Sequence, residues 1–98
     1  MYVSNVVVVG LAVGFKAYLK GVGIASRRLG NSLFVEGADV ESRYPWVELR
    51  FLLSASTATY TVEVCGVDAD GQSRGRREVR IEDFDSLDDA WGKIEGGK

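Results

Sequence analysis

Residues 46–67 read WVELRFLLSASTATYTVEVCGV, and the alternation inside this stretch decides the fold. From Val47 to Ala55 the apolar side chains Val47, Leu49, Phe51, Leu53 and Ala55 take the odd positions, with Glu48 and Arg50 between them. A period of two with one apolar face is the pattern of a half-buried strand. A second strand from Ala58 to Val67 sets Ala58, Tyr60, Val62 and Val64 on one face and Thr59, Thr61, Glu63 and Cys65 on the other. A turn at Ser56-Thr57 opposes Leu53 to Tyr60, Phe51 to Val62, Leu49 to Val64 and Arg50 to Glu63, so apolar meets apolar and charge meets charge.

Downstream, Arg76 to Glu82 forms a third strand that buries Val79 and Ile81. A two-residue type I′ turn at Asp70-Gly71 fixes its register: Val62 faces Val79 and Tyr60 faces Ile81, while Cys65 meets Arg76, Glu63 meets Glu78 and Thr61 meets Arg80. A slip of one residue turns every apolar side chain outward, which is why turn chemistry and alternation are independent evidence for one pairing. Past the strand, Ser86 and Asp89 have the spacing of a capping box, and Leu87, Ala90, Trp91 and Ile94 form an i, i+3, i+4, i+7 stripe. The expected fold is therefore α+β. An antiparallel three-stranded meander spans about 46–82, and a C-terminal helix at about 86–95 packs on it and stops at Gly96-Gly97. An N-terminal strand-helix-strand segment precedes them within a single domain over residues 1–98.

That N-terminal segment fits two periods. Val9, Leu11, Val13, Phe15, Ala17 and Leu19 suit a strand, whereas Leu11, Phe15, Leu19, Val22, Ser26 and Leu29 fall near one helical face with Lys16, Lys20 and Arg27 opposite. The preferred reading is a strand to about Gly10, a helix from about Gly14 to Leu29 and a strand at Ser32 to Glu36. The apolar run Val6–Phe15 is too short to cross a bilayer and is read as core.

Composition narrows the function. Apolar residues make up 46% of the 98 and charged residues 27%, the balance of a chain with a real core. The net charge of −2 gives no overall attraction for polyphosphate, so nucleic-acid binding requires a local patch. Histidine is absent, which removes the commonest general base and most zinc sites. Cys65 is the sole cysteine and has no internal disulfide partner, which makes the cytoplasm the expected compartment. No catalytic residue, metal ligand or cofactor is expected.

Four features carry candidate chemistry. Arg74, Arg76, Arg77 and Arg80 crowd the second hairpin, where arginine suits phosphate or carboxylate, although cross-strand partners also neutralise it. Asp83, Asp85, Asp88 and Asp89, with Glu82 and Glu95, make an acidic surface around the helix start; their simplest use is capping and solubility, and the sharper one is to meet a basic groove on a partner. Tyr44-Pro45-Trp46 is either a core plug or a contact patch. Finally, the run Val6–Val9 followed by Gly10 and Gly14, with Glu36 further on, looks like the opening of a dinucleotide-binding βαβ unit. Ala12 stands where that motif has its middle glycine, and close packing of a strand and helix is the preferred reading.

The stretch from Asp70-Gly71-Gln72-Ser73 through Asp83-Phe84-Asp85-Ser86 to Trp91 resembles the hairpin-then-helix portion of small phage-encoded anti-CRISPR proteins. Three strands and a helix are also similar to the arm-type DNA-binding domain of phage integrases. The first resemblance implies a non-enzymatic inhibitor that occludes a basic nucleic-acid-binding surface of a larger host defence complex. Its contact residues are expected among Asp83, Asp85, Asp88, Asp89, Arg74 and Arg76. The alternative is a nucleic-acid-binding module that uses the arginine hairpin. Neither involves a membrane, and either operates as a monomer or a homodimer.

Overall fold

The computed structural model describes residues 2–54, 59–81 and 87–95. Its N-terminal segment departs from the strand-helix-strand reading: one helix, α1, runs over Tyr2–Gly21, where a strand to Gly10 was expected. Four successive valines disfavour a helix locally, because β-branching restricts χ1 against the preceding turn. Tertiary packing overrides that preference here. Val8, Ala12, Phe15 and Leu19, spaced i, i+4, i+7 and i+11, are all buried in the core cluster. The helix does not continue to Leu29. Gly23, at φ 87°, turns the chain left-handed while its N–H bonds the Lys20 carbonyl and the Ile24 N–H bonds the Leu19 carbonyl at 2.8 Å. This is the Schellman stop, with Ile24 folding back on the core.

Residues expected at the end of that helix instead form strand β1, Ser26–Leu29, which pairs with β2, Ser32–Glu36, across the two-residue turn Gly30-Asn31. Asn31 stitches this hairpin to the next strand, because its side-chain amide donates to the Phe51 carbonyl at 2.7 Å and its own carbonyl accepts from the Phe51 N–H. Strands β3, Trp46–Ser54, β4, Thr59–Val67, and β5, Ser73–Ile81, complete the sheet. The order is β1-β2-β3-β4-β5, antiparallel throughout, so the expected three-stranded meander is the larger part of a five-stranded one.

Both central registers agree with the turn argument. Leu53 faces Tyr60, Phe51 faces Val62, Leu49 faces Val64 and Arg50 faces Glu63; on the next pair Tyr60 faces Ile81, Thr61 faces Arg80, Val62 faces Val79 and Glu63 faces Glu78. The Ser56-Thr57 turn itself lies outside the described residues.

The second turn corrects the expectation. Val67 pairs with Ser73, which leaves a five-residue loop in which the Asp68 carboxylate accepts the N–H groups of Asp70 and Gln72. A bulge opposite Cys65, where Gly75 adopts φ 61°, then absorbs one residue of β5. The longer loop and the bulge cancel, so the strand returns to the expected register by Arg77, while the Cys65–Arg76 pair is lost.

Helix α2, Leu87–Glu95, buries Ala90, Trp91 and Ile94. Ser86 and the Gly96-Gly97 stop lie outside the described residues. Both helices lie on one face of the sheet, and Phe15 of α1 joins them to it, with its ring 5.4 Å from Phe51 and 6.3 Å from Trp91. The side chain of Arg77 fixes the other end of α2 by donating to the Ile94 carbonyl.

A polar tie also links the helices: the Tyr18 hydroxyl donates to the Asp88 carboxylate. That hydrogen bond, followed by desolvation and the charges of Asp88 and Glu95, pushes the Tyr18 pKa up to about 12. Because the folded value is raised, the tie is fully present below pH ~10, the ordinary tyrosine value, and is lost as pH rises toward the folded one. In an ultraviolet titration of the four tyrosines, one is expected to ionise late, and Tyr18→Phe should delete that late step alone. An unchanged curve for Tyr18→Phe would contradict the tie.

Candidate functional site

With α1 and α2 on one side, no described helix covers the other side of the sheet, and its side chains follow from strand parity. Arg27 and Leu29 come from β1; Ser32, Phe34 and Glu36 from β2; Trp46, Glu48, Arg50 and Leu52 from β3; Thr61, Glu63, Cys65 and Val67 from β4; Arg76, Glu78 and Arg80 from β5. This outer face divides into a polar and an apolar half.

The polar half is a chain of partners across four strands. Ser32 Oγ donates to Glu48 Oε2 at 2.7 Å, Arg50 reaches the same oxygen at 3.2 Å and Glu63 at 3.8 Å, and Arg76 reaches Glu63 at 3.4 Å. Glu48 and Glu63 are each only 8% exposed, which requires such partners, since a buried carboxylate without them is costly. Cys65 is buried on this face although no described helix lies over it. Its cross-strand neighbour is Glu48.

Expected site residues fall into this picture unevenly. Arg76 is engaged by Glu63, and Arg74 by Asp68 at 3.1 Å, so both hairpin arginines are already paired within the chain. The Asp68 carboxyl is held below its usual range, first by the Gln72 N–H and also by Arg74 and the Asp70 N–H. Asp88 and Asp89 are exposed in the first turn of α2, with Asp88 tied to Tyr18. Asp83 and Asp85 lie outside the described residues. Of the four that are described, the hairpin arginines pair with Asp68 and Glu63, and Asp88 of the helix pairs with Tyr18.

Tyr44-Pro45-Trp46 divides between partial burial and exposure. The Tyr44 ring lies against Gly66, where an added Cβ would meet it within 2.5 Å, and is half-buried; Trp46 stands on the outer face, 48% exposed. Around Trp46 the apolar half of the face forms a groove of about 650 Å³ whose walls include Arg27, Leu29, Phe34, Glu36, Trp46 and Val67. Leu29 is 73% exposed, an unusual cost for a leucine on a sheet.

Comparison with protein-family models, curated proteins and solved structures finds no match.

The groove itself thus carries the argument. Of its residues, sequence reasoning singled out Trp46 as a contact candidate and Glu36 only within the dinucleotide-binding likeness. Gly30-Asn31 was the available signal, since Gly-Asn between two short runs marks a hairpin, and that hairpin brings Leu29 and Phe34 onto the face that carries Trp46. Charge also segregates: residues 1–35 contain Lys16, Lys20, Arg27 and Arg28 and no carboxylate side chain, whereas all fourteen Asp and Glu follow. Among the described residues no group of three potential metal ligands forms, and no helix is long and apolar enough to cross a membrane.

Proposed function

We propose that this is a small non-enzymatic interaction protein that binds a protein partner through the apolar groove on its open sheet face. The observation that supports it is one groove on the outer face lined by the exposed Leu29 and Trp46 with the half-buried Phe34 and Val67 between and beside them, outside a core that is otherwise closed by two helices. Contact patches concentrate aromatic and apolar anchors inside a polar rim, and here Arg27 and Glu36 supply rim charge. Nucleic-acid binding by the sheet is the weaker reading. Arg27, Arg50, Arg76 and Arg80 on this face are balanced by Glu36, Glu48, Glu63 and Glu78, and phosphate recognition needs a surplus of positive charge.

A second reading keeps the acidic helix as the contact surface, as the resemblance to anti-CRISPR proteins implies. The exposure of Asp88 and Asp89 favours it. One experiment separates the two. Affinity capture is run with the wild-type protein, a Leu29→Asp/Trp46→Asp variant and an Asp88→Lys/Asp89→Lys variant, after circular dichroism has shown that all three are folded. Partners held by the wild type should be lost with the groove variant and retained with the helix variant. The opposite pattern moves the contact to α2 and overturns the groove.

A further inference from the structure

The groove has an open side. β1 is an edge of the sheet, and alternate residues of an edge strand turn their N–H and C=O groups away from the neighbouring strand. The opposite edge, β5, is interrupted by the Gly75 bulge and tied to α2 through Arg77. Among the described residues β1 shows no bulge and no such side-chain tie to a helix. We infer that its free edge accepts an acidic, extended segment of the partner as a sixth strand.

The inference rests on the groove reading and adds the mode and chemistry of the partner. Arg27 makes no ion pair or hydrogen bond among the described residues, and the Arg28 guanidinium holds only the Gly30 carbonyl. Both stand in the part of the chain that lacks carboxylates. A second copy is the wrong occupant, because two-fold antiparallel pairing of two β1 strands about Arg27 or Arg28 sets that arginine opposite its own counterpart, and like charges directly opposite are destabilising. The same arginines that repel a copy attract aspartate or glutamate.

Alternation supplies the rest. Arg27 and Leu29 project on the outer face and Arg28 on the other. An incoming strand with a carboxylate beside Arg27 therefore places its side chain two residues away beside Leu29, at the groove wall with Phe34 and Trp46. An apolar residue fits there. Nucleic acid has no peptide groups to complete the ladder.

The test uses an acetylated, amidated eight-residue peptide that repeats Glu-Glu-Val-Val, so that glutamate and valine alternate along each face of the strand, titrated to millimolar concentration against the 15N-labelled protein. Expected are amide shifts at residues 26–29 and at Trp46. Affinity should fall by about tenfold with Arg27→Glu/Arg28→Glu, or when alternate peptide bonds of the probe are N-methylated. Strand addition is overturned if a lysine-valine peptide binds as well, if N-methylation has no effect, or if the probe leaves β1 unshifted. Binding of a thymidine oligonucleotide to β1 with a steep salt dependence would overturn it in favour of phosphate. If the peptide fails while Leu29→Asp/Trp46→Asp still loses its captured partner, strand addition falls and the groove reading stands. If the groove variant keeps that partner, the reading beneath falls.

Discussion

Replacing Trp91 with alanine should lower the stability of the fold by about 3–5 kcal/mol, read from urea unfolding monitored by circular dichroism. The ring is 6% exposed and sits where α2 meets both Phe15 of α1 and the sheet, so truncation leaves a cavity that a short helix cannot fill by shifting. A domain of this size has about 5–15 kcal/mol in total. The loss is thus a large fraction of the whole, and at roughly 4–8 °C per kcal/mol it should be plain in a thermal scan. A smaller deficit that does not couple to Phe15→Leu in a double-mutant cycle would mean that α2 packs independently of α1; tilted aromatic pairs add about 0.5–1.5 kcal/mol to such a cycle.

That helix was legible in the sequence for the same reason that its loss is costly. Leu87, Ala90, Trp91 and Ile94 repeat at the helical period with charged residues between them, and one face is therefore specified. The β3–β5 meander was equally legible, because a strand with one wet face and one dry face has a single acceptable register.

The N-terminal third lacked this contrast. α1 is apolar on nearly every side, with Val6 and Val13 exposed while Val8 and Phe15 are buried, so its pattern does not tell strand from helix. β1 gave still less. Ser26, Arg27 and Arg28 show no alternation, and the strand exists because Gly30-Asn31 folds it onto β2 and α1 packs behind it. The groove inherits this illegibility, since most of its wall comes from β1 and β2. By contrast, the candidate acids and arginines were found by their density in the sequence, which says nothing of the partners that Arg74, Arg76 and Asp88 already have inside the fold.

Gly37→Ala should cost about 3 kcal/mol, at the upper end of what one added methyl group exacts from a packed structure, and should disturb Trp46 as well. A Cβ built at Gly37 lies 1.6 Å from the Tyr44 carbonyl oxygen. That neighbour is backbone, so no side-chain rotation relieves the overlap. The loop between β2 and β3 is pinned at this point, with the Gly37 N–H bonded to the Pro45 carbonyl at 3.0 Å and the Gly37 carbonyl accepting from both Val40 and Glu41. Moving Tyr44 also drags its ring away from Gly66 and displaces the chain directly before Trp46. The two tryptophans separate the consequences. Fluorescence of the exposed Trp46, isolated in a Trp91→Phe background, should change in Gly37→Ala under native conditions, whereas that of the buried Trp91, isolated in Trp46→Phe, should hold until the protein unfolds. Binding of the glutamate-valine peptide should weaken along with the Trp46 signal. If stability falls but Trp46 emission and peptide binding match wild type, then the loop yields elsewhere and the groove does not depend on the close approach of Gly37 to Tyr44.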